Sequence, residues 1–114
     1  MSSDCAGFTI VDYKSRTVTL SSEKWDNHII SRHPEMADYV SSVEETVLNP
    51  DVVYESKSDT ETEVFFRLAT ETKHPKLYIT VPVGYNNNKG NVKTAFFQPD
   101  FGGINEKGIK YVKS

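Results

Sequence analysis

The residues best suited to chemistry lie in one run, Trp25-Asp26-Asn27-His28-Ile29-Ile30-Ser31-Arg32-His33-Pro34-Glu35. On a helix, Trp25, His28, Ile29 and Arg32 fall at i, i+3, i+4 and i+7, which is one face. His28 and Arg32 are then one turn apart. An imidazole titrates near neutral pH and can act as general acid or base. A guanidinium beside it can hold a phosphate by two parallel hydrogen bonds and stabilise charge that builds in a transition state. His33, at the helix end, lies near carbonyls whose partial negative charge favours a protonated ring. Such a set suits metal-free phosphodiester cleavage. One group takes the 2′-hydroxyl proton, another protonates the leaving oxygen, and Arg32 stabilises the phosphorane. The same residues also read as ordinary packing: His28 half-buried beside Trp25 and Ile29, and Arg32 paired with Glu35. Arg67, Thr94 and Tyr78 are polar or amphipathic groups on apolar strands. They are candidates for phosphate contact, phosphate orientation and base stacking, with Trp25 as a second aromatic surface. Their plain reading is a solvated sheet face.

Several other chemistries lack their residues. There is no phosphate-cradling glycine loop, CxxC pair, HExxH or dinucleotide fingerprint. One cysteine and three histidines do not make a structural zinc site. His28 and His33 are five residues apart, about 140° around a helix, and would not chelate one ion. The sequence thus points to no metal and no cofactor. Cys5 is a lone thiol with no internal disulfide partner and reads as incidental.

These groups need elements to hold them. Phe8–Tyr13 and Thr17–Leu20 are apolar, β-branched runs joined by Lys14-Ser15-Arg16, a small hairpin. Ser21 and Ser22 are N-cap candidates for a first helix that ends near His33, because Pro34 disfavours helical backbone at the residue before it. Pro34 suits the first position of a second helix, which runs to about Leu48 with Met36, Tyr39, Val40, Val43 and Val47 as its apolar stripe. Asn49-Pro50-Asp51 stops it. Beyond Pro50 the period becomes two. Strands are expected at Val52–Glu55, Val64–Ala69, Leu77–Val83 and Val92–Phe97, with a short edge strand at Ile109–Val112. Tyr85–Asn91, with three asparagines and Gly90, reads as a hairpin loop. Helices first and strands after, without crossover helices, indicate α+β with an antiparallel meander.

The chain has 114 residues, 37% apolar and 25% charged, which fits one globular domain over 1–114. Its start lacks a signal-peptide pattern and no stretch is long enough to span a bilayer, so a cytoplasmic location and no membrane partner are expected. The net charge of −3 hides an asymmetry. Residues 1–62 carry five Lys/Arg against twelve Asp/Glu, a balance of −7, and residues 63–114 carry eight against four, a balance of +4. An acidic protein can therefore still hold a locally positive surface.

Trp25…His28-Ile29…Arg32-His33-Pro34-Glu35-Met36, then Val43…Thr46-Val47…Asn49-Pro50-Asp51, then Val92…Thr94-Ala95-Phe96, resemble the phage-associated barnase–EndoU–colicin–RelE class of nuclease domains. The similarity spans about residues 18–98. It implies two helices followed by a four-stranded antiparallel sheet, to which the hairpin would be an addition. It also implies a ribonuclease-like, toxin-type role, with His28, Arg32, His33 and Thr94 at functional positions and Arg67 as a looser match. The partners would be RNA, whether single-stranded, tRNA or ribosome-associated, and an antitoxin or immunity protein. The competing expectation is a non-catalytic RNA- or protein-binding module on the same fold, of phage or mobile-element origin. A small-ligand domain has no apolar pocket signature behind it. The chain would be a monomer or a dimer paired through the Ile109–Val112 edge.

Overall fold

The computed structural model describes residues 7–113. Cys5 and the start of the chain lie outside them. Strands β1 (Phe8–Val11) and β2 (Thr17–Leu20) form an antiparallel hairpin. The Asp12 and Arg16 backbones close its loop, Ser15 donates its N–H to the Asp12 carbonyl, and Ser15 takes a left-handed φ of 62°. This is the three-residue hairpin loop in which a turn is followed by one left-handed residue.

Ser21 then caps a helical stretch, its Oγ accepting the Lys24 N–H at 3.0 Å, as N-cap serines do. We call residues 22–32 α1. It is α-helical over Ser22–Lys24 and Ile30–Arg32 and widens to a π-turn over Trp25–Ile29. His33 sits at φ −134°, ψ 68°, forced off helical backbone by Pro34. The second helix expected from Pro34 is split. Pro34–Met36 is a single 3₁₀ turn, Tyr39 leaves helical geometry at φ −123°, ψ 26°, and α2 runs only over Val40–Leu48.

Six further strands follow: β3 (Val52–Ser56), β4 (Thr62–Leu68), β5 (Tyr78–Asn86), β6 (Lys89–Val92), β7 (Phe96–Gln98) and β8 (Ile104–Val112). Asn87 and Asn88, at φ 54° and 65°, make a two-residue turn with both central residues left-handed. Such a turn joins two strands directly, so β5 continues through the segment expected to be a loop. The strand expected over Val92–Phe97 is broken. β6 pairs with the C-terminal half of β5 and β7 with its N-terminal half. Pro82 accounts for the break. Its carbonyl accepts the Lys93 N–H at 2.8 Å. Its missing N–H falls on the same side, at the gap between β6 and β7.

The expected architecture of two N-terminal helices and a four-stranded antiparallel sheet is therefore incorrect. The structure is an eight-stranded mixed sheet in the order β1-β2-β6-β5-β4-β3-β8, with β7 beside β5. The hairpin is not an addition to a core. β2 pairs with β6 in parallel, Val18 against Gly90, and joins the hairpin to the meander. The helices are the crossover that carries the chain from β2 to β3, at the far side of the sheet. Local periodicity shows where strands are but not which distant strand each one joins.

The sheet curls around α1 and α2. Its concave face gives Val18, Leu20, Val53, Phe65, Ile79, Val81, Val83 and Val92 to a core shared with Trp25, Ile29, Met36, Val43 and Val47. Full burial of each such side chain contributes about 1.5–3 kcal/mol. A smaller cluster of Val52, Val64 and Phe66 lies on the convex face under Tyr54, Tyr78, Phe101 and Ile104. No helix among the described residues is long and apolar enough to cross a membrane.

Candidate functional site

The structure puts the residues expected to act together in differing surroundings. Trp25 is 3% exposed and packed in the core, with no ring face open to a base. His28 is half-buried on a shallow depression with Ser21, Glu23, Lys24 and Asn27. Arg32 is exposed. The π-turn explains this divergence, because it fits an extra residue into the turn and shifts every later position from its α-helical azimuth. Trp25 and Ile29 point inward while Arg32 points to solvent. His33 stacks on Phe96, ring centroids 5.3 Å apart, with its Nδ1 3.7 Å from Glu35. Thr94 is half-buried, and its hydroxyl has no hydrogen-bond partner.

Arg67 and Tyr78 lie elsewhere again. The Arg67 guanidinium forks onto the Glu71 carboxylate, between depressions lined by Glu45, Asn49 and Asp51 on one side and Ser41 and Ser42 on the other. Burial would raise the Glu71 carboxyl, but hydrogen bonds from Arg67 and Ser42 outweigh it and hold it low. Tyr78 packs against Phe101 at 4.8 Å on the convex face. The depressions at His28 and at Arg67 each hold just one of His28, Arg32, His33, Arg67 and Thr94. Among the described residues no group of three or more His, Cys, Asp and Glu is arranged to hold a metal ion.

A different constellation is well built. The two hairpin tips, residues 12–16 and 86–89, project from the same end of the sheet because β2 and β6 run in parallel. At their base Asp12 accepts four hydrogen bonds. Its Oδ1 takes the Lys14 and Arg16 N–H groups at 2.8 and 2.9 Å, and its Oδ2 takes Arg16 Nε at 2.8 Å and the Tyr85 hydroxyl at 2.6 Å. The Arg16 fork reaches Glu63 on β4 at 2.9 and 3.1 Å, and Tyr13 donates its hydroxyl to Glu63 at 2.6 Å. The guanidinium lies 3.8 Å from the Tyr85 ring centroid. Gly90 makes this stacking possible: a Cβ there would stand 2.8 Å from the Tyr85 ring.

The electrostatics follow from this geometry. Burial pushes the Tyr85 and Tyr13 hydroxyls well above the ordinary tyrosine value, and their bonds to Asp12 and Glu63 add to it. Burial alone would raise the Glu63 carboxyl, but Arg16 and Tyr13 outweigh it and hold it low. These charges are paired and satisfied, and the network braces the hairpin tip.

No family model, curated protein or solved structure matches the chain. The residues and their geometry therefore carry the functional reading. Above the brace, the two tips enclose a depression of about 490 Å³. Lys14, Ser15, Arg16 and Thr17 form one lip and Asn87, Asn88 and Lys89 the other. Three cations, two hydroxyls and two amides line it, and no carboxylate does. Arg16 is neutralised from below, which leaves Lys14 and Lys89, both exposed, as the cations available to a ligand. In the sequence, Lys14-Ser15-Arg16 reads only as a polar connection and Asn86–Asn88 only as part of a loop. The usable signal is a lysine in the first turn and another directly after the second; their adjacency needs the parallel β2–β6 pairing.

Proposed function

We propose that this protein is a non-catalytic module that binds single-stranded RNA through its backbone. The observation that carries this reading is the depression between the hairpin tips, lined by cations and hydrogen-bond donors with no carboxylate. Phosphate is the group such a lining suits. The depression is a notch on one end of a small sheet, which a flexible strand can enter more readily than a stiff duplex. Two free lysines neutralise about two phosphates. Binding should then weaken with salt at a log–log slope of about −1.4, from ~0.7 per phosphate on single strands. Dissociation constants on the order of 10⁻⁴ to 10⁻⁶ M are expected at physiological salt. None of His28, Arg32 and His33 lines the depression, which favours binding over cleavage there.

The test is fluorescence anisotropy with labelled single-stranded RNA and the matching DNA across a salt series, alongside a gel assay for RNA integrity in EDTA. Salt-dependent binding of intact RNA, lost in the Lys14→Glu/Lys89→Glu double variant, supports the reading. Absence of salt-dependent binding overturns it. Cleavage in EDTA that disappears in His28→Ala would instead establish the ribonuclease.

A further inference from the structure

Phosphate contact alone does not explain the second lip of the depression. Asn87 and Asn88 both have left-handed backbone, at φ 54° and 65°. A turn of this type needs positive φ at both central positions, and its strong preference is asparagine followed by glycine. Glycine at position 88 would serve the backbone without a side chain. The chain carries an amide there instead, beside a second amide at 87, and both side chains are exposed on the wall of the depression. Each amide offers two donors and one acceptor, a complementary edge to a base and not only to a phosphate. Lys89 is the next residue, and Lys14 lines the facing lip of the same depression, so cations and amides share one small site.

We propose that the Asn87–Asn88 turn reads a nucleobase, and that the base is adenine, bound by a side-chain amide across N6 and N7. Asparagine pairs with adenine in this two-bond manner. This specificity rests on the RNA-binding reading above. It assigns affinity to the lysines and discrimination to the asparagines. The brace of Asp12, Arg16 and Tyr85 ties the first lip to β5, the strand that leads into the Asn87–Asn88 turn.

The experiment measures the affinity of the full chain for oligo(A), oligo(C) and oligo(U) RNAs of equal length at one salt concentration. The wild-type protein and the Asn87→Gly/Asn88→Gly variant are compared. Glycine is at home in both turn positions, so the variant folds, and circular dichroism and its melting temperature verify this. The wild type should favour oligo(A) at least about fivefold, the lower end of the discrimination of a two-bond amide–adenine contact. In the variant the ratio should fall toward one. Equal affinity of the wild type for all three RNAs overturns the base reading and leaves the backbone reading standing. A preference that survives in the variant also overturns it. No binding to any RNA removes both.

Discussion

At the scale of residues, the Arg16–Glu63 pair decides how the hairpin tip is held. Its side chains are 13% and 9% exposed, and each oxygen of Glu63 has a donor. A buried pair is costly to break from one side, because the remaining charge stays buried without a partner. Glu63→Gln should therefore lower stability by about 3 kcal/mol at pH 7. The pH dependence has a definite sign. The folded state holds the Glu63 carboxyl below its ordinary 4.5. Its contribution is therefore complete above that ordinary value and disappears as pH falls through the folded one. Urea melts between pH 7 and pH 2 should show the gap between wild type and Glu63→Gln constant down to about pH 5 and closing below it. A gap that stays constant to pH 2 would mean that Glu63 contributes by packing alone. The pairing is not legible in the sequence, since Arg16 and Glu63 are 47 residues apart and lie on elements that do not pair.

At the scale of elements, the first helix is legible in the sequence at both ends and misleading in its middle. Ser21 and Pro34 mark its limits because capping and pre-proline sterics are local effects. The π-turn at Trp25–Ile29 has no such local signal in the sequence, and it turns both Trp25 and Ile29 into the core. The stripe Trp25–His28–Ile29–Arg32 is thus divided by burial. Ile29 is fully buried and Arg32 is exposed. Ile29→Ala should cost about 2–5 kcal/mol, by lost burial and a cavity. Arg32→Ala should change stability by no more than about 0.5 kcal/mol, as for surface sites without special contacts. Chemical denaturation of both variants tests the pair, and a cost above about 1 kcal/mol for Arg32→Ala would show that the helical face runs differently. The strand boundaries failed where a proline acts across a strand pair, as Pro82 does on β6 and β7.

At the scale of the whole molecule, the tip of the first hairpin leans over the curled sheet to reach the strand at its far edge. Six inter-strand steps separate β1 from β8. In a flat sheet they would span about 29 Å, at ~4.8 Å per step. Yet Tyr13, at the tip beyond β1, and Tyr111, on β8, have ring centroids only 5.1 Å apart, and Tyr13 also meets Phe65 edge-on at 5.9 Å. This seam holds the first lip of the depression, since Lys14 follows Tyr13 directly. It also reassigns the charge asymmetry of the chain. Lys14 and Arg16 come from the acidic half and Lys89 from the basic half, so the positive notch is made by folding and not by one segment. Tyr111→Ala removes one side of the seam and should cost about 1–3 kcal/mol, as an aromatic pair and a half-buried ring are lost. Its effect on function should exceed its distance from the notch. The Arg16 brace ties the base of the tip, but with Tyr111 absent Tyr13 loses a wall and Lys14 loses its fixed position. RNA affinity, measured by anisotropy below the melting temperature of the variant, should fall about three- to tenfold, equivalent to roughly 0.7–1.4 kcal/mol. The RNA Kd and the melting temperature together decide the matter. If the melting temperature drops and affinity stays within about twofold, the Asp12–Arg16–Glu63 brace alone positions the notch and the seam serves only stability.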